Sequence, residues 1–155
     1  MPPVFRNDPY GDFNFLVTIN GISDDGTSVR GGFSEVTGLD VEIVPIEYRT
    51  GNETSLATRK LPGLHKFTNI TLKRGVIGDL SLWNWINSVL NGNVRRADGS
   101  IVLLDDNRSE VLRWNFRRGW PCKWTGSGLN AKNNEIAMET LEICHEGLHI
   151  DGEAP

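Results

Sequence analysis

From Gly31 to Gly75 the chain reads GGFSEVTGLDVEIVPIEYRTGNETSLATRKLPGLHKFTNITLKRG, and this stretch restricts the possible folds most. Two strand-like segments, Leu39 to Tyr48 and Phe67 to Arg74, flank a long connection of polar, charged, Gly- and Pro-containing residues. Connections in compact domains commonly run to about 4–6 residues, and much longer ones tend to be functional or disordered. Here Leu56, Leu61, Pro62, Leu64 and His65 are spaced through the connection like anchors. A small β domain that projects a partly apolar arm, Tyr48 to Lys66, is built to touch a neighbour. The pattern points to assembly before chemistry.

The punctuation elsewhere is mostly that of a β protein. Phe13, Phe15, Val17 and Ile19 alternate with Asn14, Leu16, Thr18 and Asn20, the two-residue period of a strand. Ser23-Asp24-Asp25-Gly26 reads as a turn. Val29 to Val36 and Leu39 to Tyr48 are further strands with Gly38 between them. Pro45 lacks a backbone donor, so its strand is interrupted, bulged or at an edge. After a helical segment, Ile101 to Leu104 is a short apolar run and Asp105-Asp106-Asn107 a turn. Val111 to Arg117 alternates, and Gly119 to Ala131 (GWPCKWTGSGLNA) reads as a turn-rich crossing. Glu135 to Cys144 suits either an imperfect strand or a helix. Asp151 to Pro155 is expected to fray.

The helical segment is Asp79 to Asn93. Asp79 is a candidate N-cap, and Gly92 stands where a left-handed residue closes a helix. Leu82, Trp83, Ile86, Val89 and Leu90 share one broad face, which makes an amphipathic helix of about three turns. Trp83 and Trp85 could stack on a sugar or a base, but large aromatics on a helix beside a sheet belong to a core. Trp83 and Ile86 are therefore expected to be buried.

A chain of 155 residues, 38% of them hydrophobic, suits a single domain (1–155) around one core. The net charge of −4 argues against a protein whose main task is to grip nucleic acid. The start, MPPVFRNDPYGDF, has the features of no signal peptide, and no apolar run approaches the roughly 18 residues of a spanning helix. Direct membrane insertion is not expected. Two cysteines, Cys122 and Cys144, cannot form a disulfide framework and are expected to be buried and reduced in a cytoplasm where the chain folds.

His145-Glu146-Gly147-Leu148-His149 matches H-E-x-x-H, the zinc peptidase spacing in which a helix sets two imidazoles on one face. Gly147 weakens such a helix, and six residues after His149 leave little room for a downstream third ligand. A chance match at the end of a strand is the simpler reading. Cys122 or Cys144 with His145 or His65 could form a nucleophile and base, yet nothing local activates either thiol. Asp105-Asp106 is a turn signal before it is a metal site, and Gly126-Ser127-Gly128 lacks the context of a phosphate cradle. No catalytic residue, metal ligand or cofactor is expected.

The series FSEVTGL (Phe33–Leu39), EYRTGN (Glu47–Asn52), KLPG (Lys60–Gly63), ITLKRG (Ile70–Gly75), Trp83, WPCKW (Trp120–Trp124), LNA (Leu129–Ala131) and NEIAMETLEICHEGL (Asn134–Leu148) spans nearly the whole chain. In this order it resembles the inner tube proteins of contractile phage tails and of phage-derived extracellular contractile injection systems, with type VI secretion tube proteins as more distant relatives. The resemblance implies a mainly β fold: a small barrel or sandwich, one flanking helix and a long projecting loop or hairpin. It implies an N-terminal arm (1–11), an assembly loop (49–66) and a flexible tail (151–155). The implied interface residues are Tyr48, Arg49, Leu56, Arg59, Lys60, Leu61, Pro62 and Leu64.

By the same resemblance, six subunits close a ring and rings stack into a tube with a polar bore for DNA or an effector protein. The implied partners are other copies of the chain, a sheath protein, baseplate or initiator tube proteins, and tape-measure and terminator proteins. The chain would be made in a bacterial cytoplasm and assembled into a phage tail or a released particle. The alternatives are a specialised initiator subunit at the baseplate and, from other classes, a small zinc hydrolase using HEGLH or a Trp-rich carbohydrate-binding module. Bound zinc would mark the hydrolase, and exposed tryptophans on a glycan-binding monomer would mark the module.

Overall fold

The computed structural model describes residues 11, 14–21, 29–31, 33–76, 80–132 and 136–151. Among them, in chain order, are β1 (Phe15–Ile19), β2 (Val29–Gly31), β3 (Glu35–Thr37), β4 (Val41–Tyr48), β5 (Arg59–Phe67) and β6 (Ile70–Gly75). The helix α1 (Ser81–Leu90) follows, then β7 (Ala97–Leu104), β8 (Glu110–Thr125), β9 (Met138–Cys144) and β10 (Gly147–Asp151). The strands run antiparallel in the order β2-β1-β7-β8-β9-β6-β3, with β10 also on β8 and β4-β5 as a separate two-stranded sheet. This is the mainly β fold with one short helix that the residues imply.

The long strand β8 organises the body because it belongs to two sheets. Its first part pairs with β7 and β10, and its second part, from Trp120, pairs with β9. The inner faces of both sheets meet in one core. Val17, Ile19, Ile101 and Phe116 come from one side, and Ile70, Leu72, Leu141 and Ile143 from the other. Alternation explains the selection, since β6 and β9 bury every second residue along their lengths. That same alternation carries Arg74 and Glu139 inward, directly opposite each other, where they form an ion pair. The Trp124 indole N–H donates to Glu139 at 3.4 Å, and the Arg74 guanidinium lies 5.6 Å from the centre of the Phe33 ring. A buried charge pair is kept only when such further partners help replace lost water.

The helix buries a face shifted from the expected one. Ser81, Leu82 and Trp85 are buried, while Trp83 is 37% exposed and meets Trp124 edge-on at 5.0 Å. Ile86 is half-buried. Trp85 won the core position because its indole N–H donates to the Arg95 carbonyl at 2.7 Å, which satisfies its one polar atom. Leu80 takes the N-cap position without a side-chain hydrogen bond, and Asp79 lies outside the described residues. Gly92 adopts φ +86 just past the helix, as its place in the sequence suggests.

Several strand boundaries differ from the expected ones. Val29 to Val36 is not one strand: β2 pairs with β1 while β3 pairs with β6, so the chain crosses between sheets after Gly31. The expected crossing at Gly119 to Ala131 begins instead as a continuation of β8, which absorbs Pro121 through a register shift between Pro121 and Lys123. Glu135 to Cys144 resolves as the strand β9, beginning at Met138. Asp151 ends β10 rather than opening a tail. Phe13, the Ser23–Gly26 turn, residues 1–10 of the expected arm and residues 152–155 lie outside the described residues.

Candidate assembly interface

The expected long loop is half strand. Residues 59 to 67 form β5, which pairs back onto β4 from Val41↔Phe67 to Tyr48↔Arg59, and the loop proper is confined to residues 49–58. Lys, Arg, Gly and Pro disguised this strand in the sequence because none favours a sheet interior. Their presence is allowed here since all eight residues of β4 are exposed and most of β5 is too. Pro45 stands opposite Pro62 at a register shift, one of the outcomes that Pro45 foretold. Gly63 is required at that irregularity: a Cβ there would lie 2.5 Å from the Val44 carbonyl oxygen and 2.9 Å from Ile46.

The apolar residues of this hairpin form two patches. Alternation along β4 places Val41 and Ile43 on one face near the base, with Phe67 beside Val41. Beyond the shift, Ile46 pairs with Leu61 on the opposite face, which Val44 and Tyr48 share. Each patch is backed by a cross-strand pair of opposite charges, Glu42↔Lys66 behind the first and Glu47↔Lys60 behind the second. Val41, Ile43, Val44, Ile46, Tyr48 and Leu61 are all 45–62% exposed, and Leu56 and Leu64 reach 88% and 85%. So dense a set of exposed apolar side chains on one element is more than the surface of a monomeric domain commonly carries.

Of the expected interface residues, Tyr48, Leu56, Arg59, Lys60, Leu61, Pro62 and Leu64 are exposed on this arm. Arg49 is half-buried. Its Nε donates to the Ser55 carbonyl at 2.8 Å and its Nη2 to that of Glu53 at 2.9 Å, so it braces the loop from within. Arg59 reaches the Glu53 carboxylate at 3.5 Å. Val41, Ile43, Val44 and Ile46 were missed as interface candidates. Their β-branched run reads as core until its partner strand proves to have no sheet behind it.

The base of the hairpin is tied to the body by a residue of the H-E-x-x-H match. The His145 ring nitrogens lie 3.2 Å from the Gly147 carbonyl and 3.0 Å from the Thr68 carbonyl, and the ring packs beside Phe67 and Phe116. A neutral imidazole donates to one of these oxygens and the imidazolium to both. The Thr68 hydroxyl donates to the Gly38 carbonyl at 2.9 Å. The motif as a whole is a turn followed by β10, not a helix. His149 stands in that strand beside Asp151 at 3.4 Å. The zinc-peptidase geometry therefore does not exist in this chain, and no metal-binding group of three or more His, Cys, Asp or Glu occurs among the described residues.

A concave hollow of about 740 Å³ opens on the outer side of β1, β7 and β8. Several of its polar groups are already matched to one another. Arg113 donates to both Glu110 oxygens at 2.7 and 3.1 Å and to Ser100 Oγ at 3.0 Å, while Asn115 donates to Asp151 at 2.7 Å. The Arg113 hydrogen bond holds the Glu110 carboxyl below its ordinary range. Nothing here pairs a nucleophile with a base. The expectation that both thiols are buried fails as well, since Cys122 is exposed and Cys144 half-buried.

This body of two sheets sharing one long strand, with a flanking helix and an exposed hairpin, is the fold of tail tube proteins. Residues 11–149 match the family described as T4-like virus tail tube protein gp19, and the chain belongs to that family. It is a structural, non-enzymatic tail tube protein of contractile injection systems, a component of a phage tail or an extracellular injection particle. A chain of the sheath–tube complex of an extracellular contractile injection system (PVC, extended state) is 29% identical, with a TM-score of 0.81 over 94% of this chain and 93% of the other. A chain of the tube-terminating cap of the anti-feeding prophage is 28% identical, with a TM-score of 0.81 over 96% and 95%. Hcp1 from Flavobacterium johnsoniae shares the fold at 17% identity and a TM-score of 0.53, over 88% and 95%. No curated protein matches the sequence.

Proposed function

We propose that six copies of this chain close into a ring, that rings stack into the inner tube of a contractile particle, and that the bore conducts DNA or an effector protein. The observation that carries the proposal is the β4–β5 hairpin, exposed along the whole of β4 and rich in apolar side chains. Eight extended residues reach about 26 Å, against a radius of gyration of about 15 Å for a domain of this length. An exposed arm of that length is long enough to reach a neighbouring copy. Sixfold closure agrees with the symmetrised baseplate of the anti-feeding prophage, one chain of which shares this fold. The sheath–tube and tube-terminator complexes of the relatives point to a sheath protein and a terminator as partners.

The two apolar patches serve two neighbours. The basal patch, Val41, Ile43 and Phe67, lies close to the body and packs against the adjacent copy in the ring. The distal patch, Val44, Ile46, Tyr48 and Leu61, reaches the adjoining ring, and Leu56 and Leu64 extend it. Repetition around the ring multiplies a modest contact per subunit. Electron microscopy of the purified protein tests the proposal. The wild type should form rings or tubes, Ile46→Ser with Leu61→Ser should form rings that do not stack, and Val41→Ser with Ile43→Ser should remain monomeric. Full-length tubes from either double variant would refute this division of labour.

A further inference from the structure

The chain has two cysteines, far apart in sequence, and the fold sets them side by side on one outer surface. Cys122 is the extra residue at the β8 irregularity, between Pro121, which pairs with Ile143, and Lys123, which pairs with Glu142. Cys144 stands one residue further along β9, opposite Trp120. Pro121, Leu141 and Ile143 point into the core, which leaves Cys122, Glu142 and Cys144 facing outward. The Cys122 thiol lies 3.5 Å from the Glu142 carbonyl oxygen and 3.7 Å from the Asn69 amide nitrogen, and the Cys144 thiol is near enough to perturb it. Across a ladder whose strands lie about 4.8 Å apart, Cys144 is the diagonal neighbour of the bulged Cys122, and disulfides bridge Cα separations of about 4.4–6.8 Å.

We propose that Cys122 and Cys144 form a reversible intrasubunit disulfide that staples β8 to β9 once the protein meets an oxidising medium. The oxidant is a low-molecular-weight disulfide such as oxidised glutathione. The thiolate of one cysteine attacks a sulfur of the oxidant, forming a mixed disulfide and expelling one glutathione thiolate. The second cysteine, as thiolate, then attacks the protein-side sulfur and expels the other glutathione. The two protons lost by the cysteines end on two glutathione thiols, so the protein is oxidised by two electrons and the oxidant reduced by two.

The surroundings make this staple slow to form. Although Cys122 is exposed as a residue, its sulfur is tucked under Asn69 and against the Glu142 backbone. Desolvation, with the neighbouring Cys144 thiol, pushes the Cys122 thiol up to about 12. Since the thiolate is the attacking species, the pair is slow to exchange and stays reduced in a thiol-buffered cytoplasm. A particle that leaves the cell meets no such buffer. The consequence is a tube subunit that is pliable while folding and cross-linked afterwards. The chemistry does not depend on ring formation, so the test is independent of the assembly reading.

Purified full-length protein is incubated with oxidised glutathione, the remaining thiols are alkylated, and the product is digested with trypsin. The expected result is protein two hydrogens lighter, with no alkylated cysteine, and a linked pair of peptides, one running from Gly119 to Lys123 and the other beginning after Lys132. The melting temperature should rise by roughly 5–10 °C and fall back on reduction. Cys122→Ser and Cys144→Ser should each lose the rise. Full alkylation of both thiols after oxidation, a stable glutathione adduct on Cys122, or a dimer linked through Cys122 would each overturn the proposal.

Discussion

Replacing Trp85 should cost far more stability than replacing Trp83, although the two stand two residues apart on one helix. Trp85 is 0% exposed and Trp83 37%. A buried indole removes about 150–250 Å² from water, worth about 4–6 kcal/mol at 25 cal/mol per Å². Substitution of buried aromatics by alanine falls at about 3–5 kcal/mol because the site relaxes in part. Trp85→Ala also strips the Arg95 carbonyl of its 2.7 Å donor, so the upper part of that range applies, about 4–5 kcal/mol. Trp83→Ala loses partial burial and one edge contact with Trp124, about 1–2 kcal/mol. Each kcal/mol shifts the melting temperature of a domain this size by about 2–4 °C. Thermal unfolding followed by circular dichroism should show a loss of roughly 8–20 °C for Trp85→Ala and about 2–8 °C for Trp83→Ala, the first the larger by at least about twofold. Trp85→Phe, which keeps most of the area but loses the donor, should fall between. Equal shifts for the two alanine variants, or a larger one for Trp83→Ala, would refute the assignment of the buried face.

Gly38 adopts φ +89, and a Cβ there would meet the Asn69 carbonyl oxygen at 1.9 Å. Gly38→Ala should therefore cost about 2–4 kcal/mol by chemical denaturation, and an effect within about 0.5 kcal/mol would show that the turn has another conformation. The Cys122 thiol, raised to about 12 from an ordinary 9.0, carries about a thousandfold less thiolate at pH 8. A more basic thiolate is intrinsically more reactive, so alkylation of folded Cys144→Ser protein should run roughly 30-fold slower than that of a free cysteine. Desolvation by the protein is the largest cause of the raised value, so the slowing should largely survive loss of the Cys144 thiol. The rate should also keep rising above pH 9, where a free thiol levels off. The sign for stability is the reverse of the carboxylate case: the unfolded thiol ionises first, so the stability tied to this group declines as pH rises from about 9 towards 12.

The β character, the single helix and the projecting arm were all legible in the residues, because each rests on local rules. Alternation in Phe15–Ile19 and Leu112–Phe116, the capping glycine at Gly92 and the spacing of Leu56, Leu61 and Leu64 act over a few residues and need no distant partner. The family order of motifs from Phe33 to Leu148 was legible in the same linear way, and with it the tail tube family. What required the tertiary structure was every decision made by a partner remote in sequence. Arg59–Phe67 is a strand because β4 supplies its hydrogen bonds, and Trp85 rather than Trp83 is core because Arg95 offers a carbonyl. His145 braces the hairpin because Thr68 lies beside it, and Cys122 and Cys144 are neighbours because β8 and β9 pair around a register shift. Periodicity tells a side chain that one face is buried, but only the packed neighbours choose which.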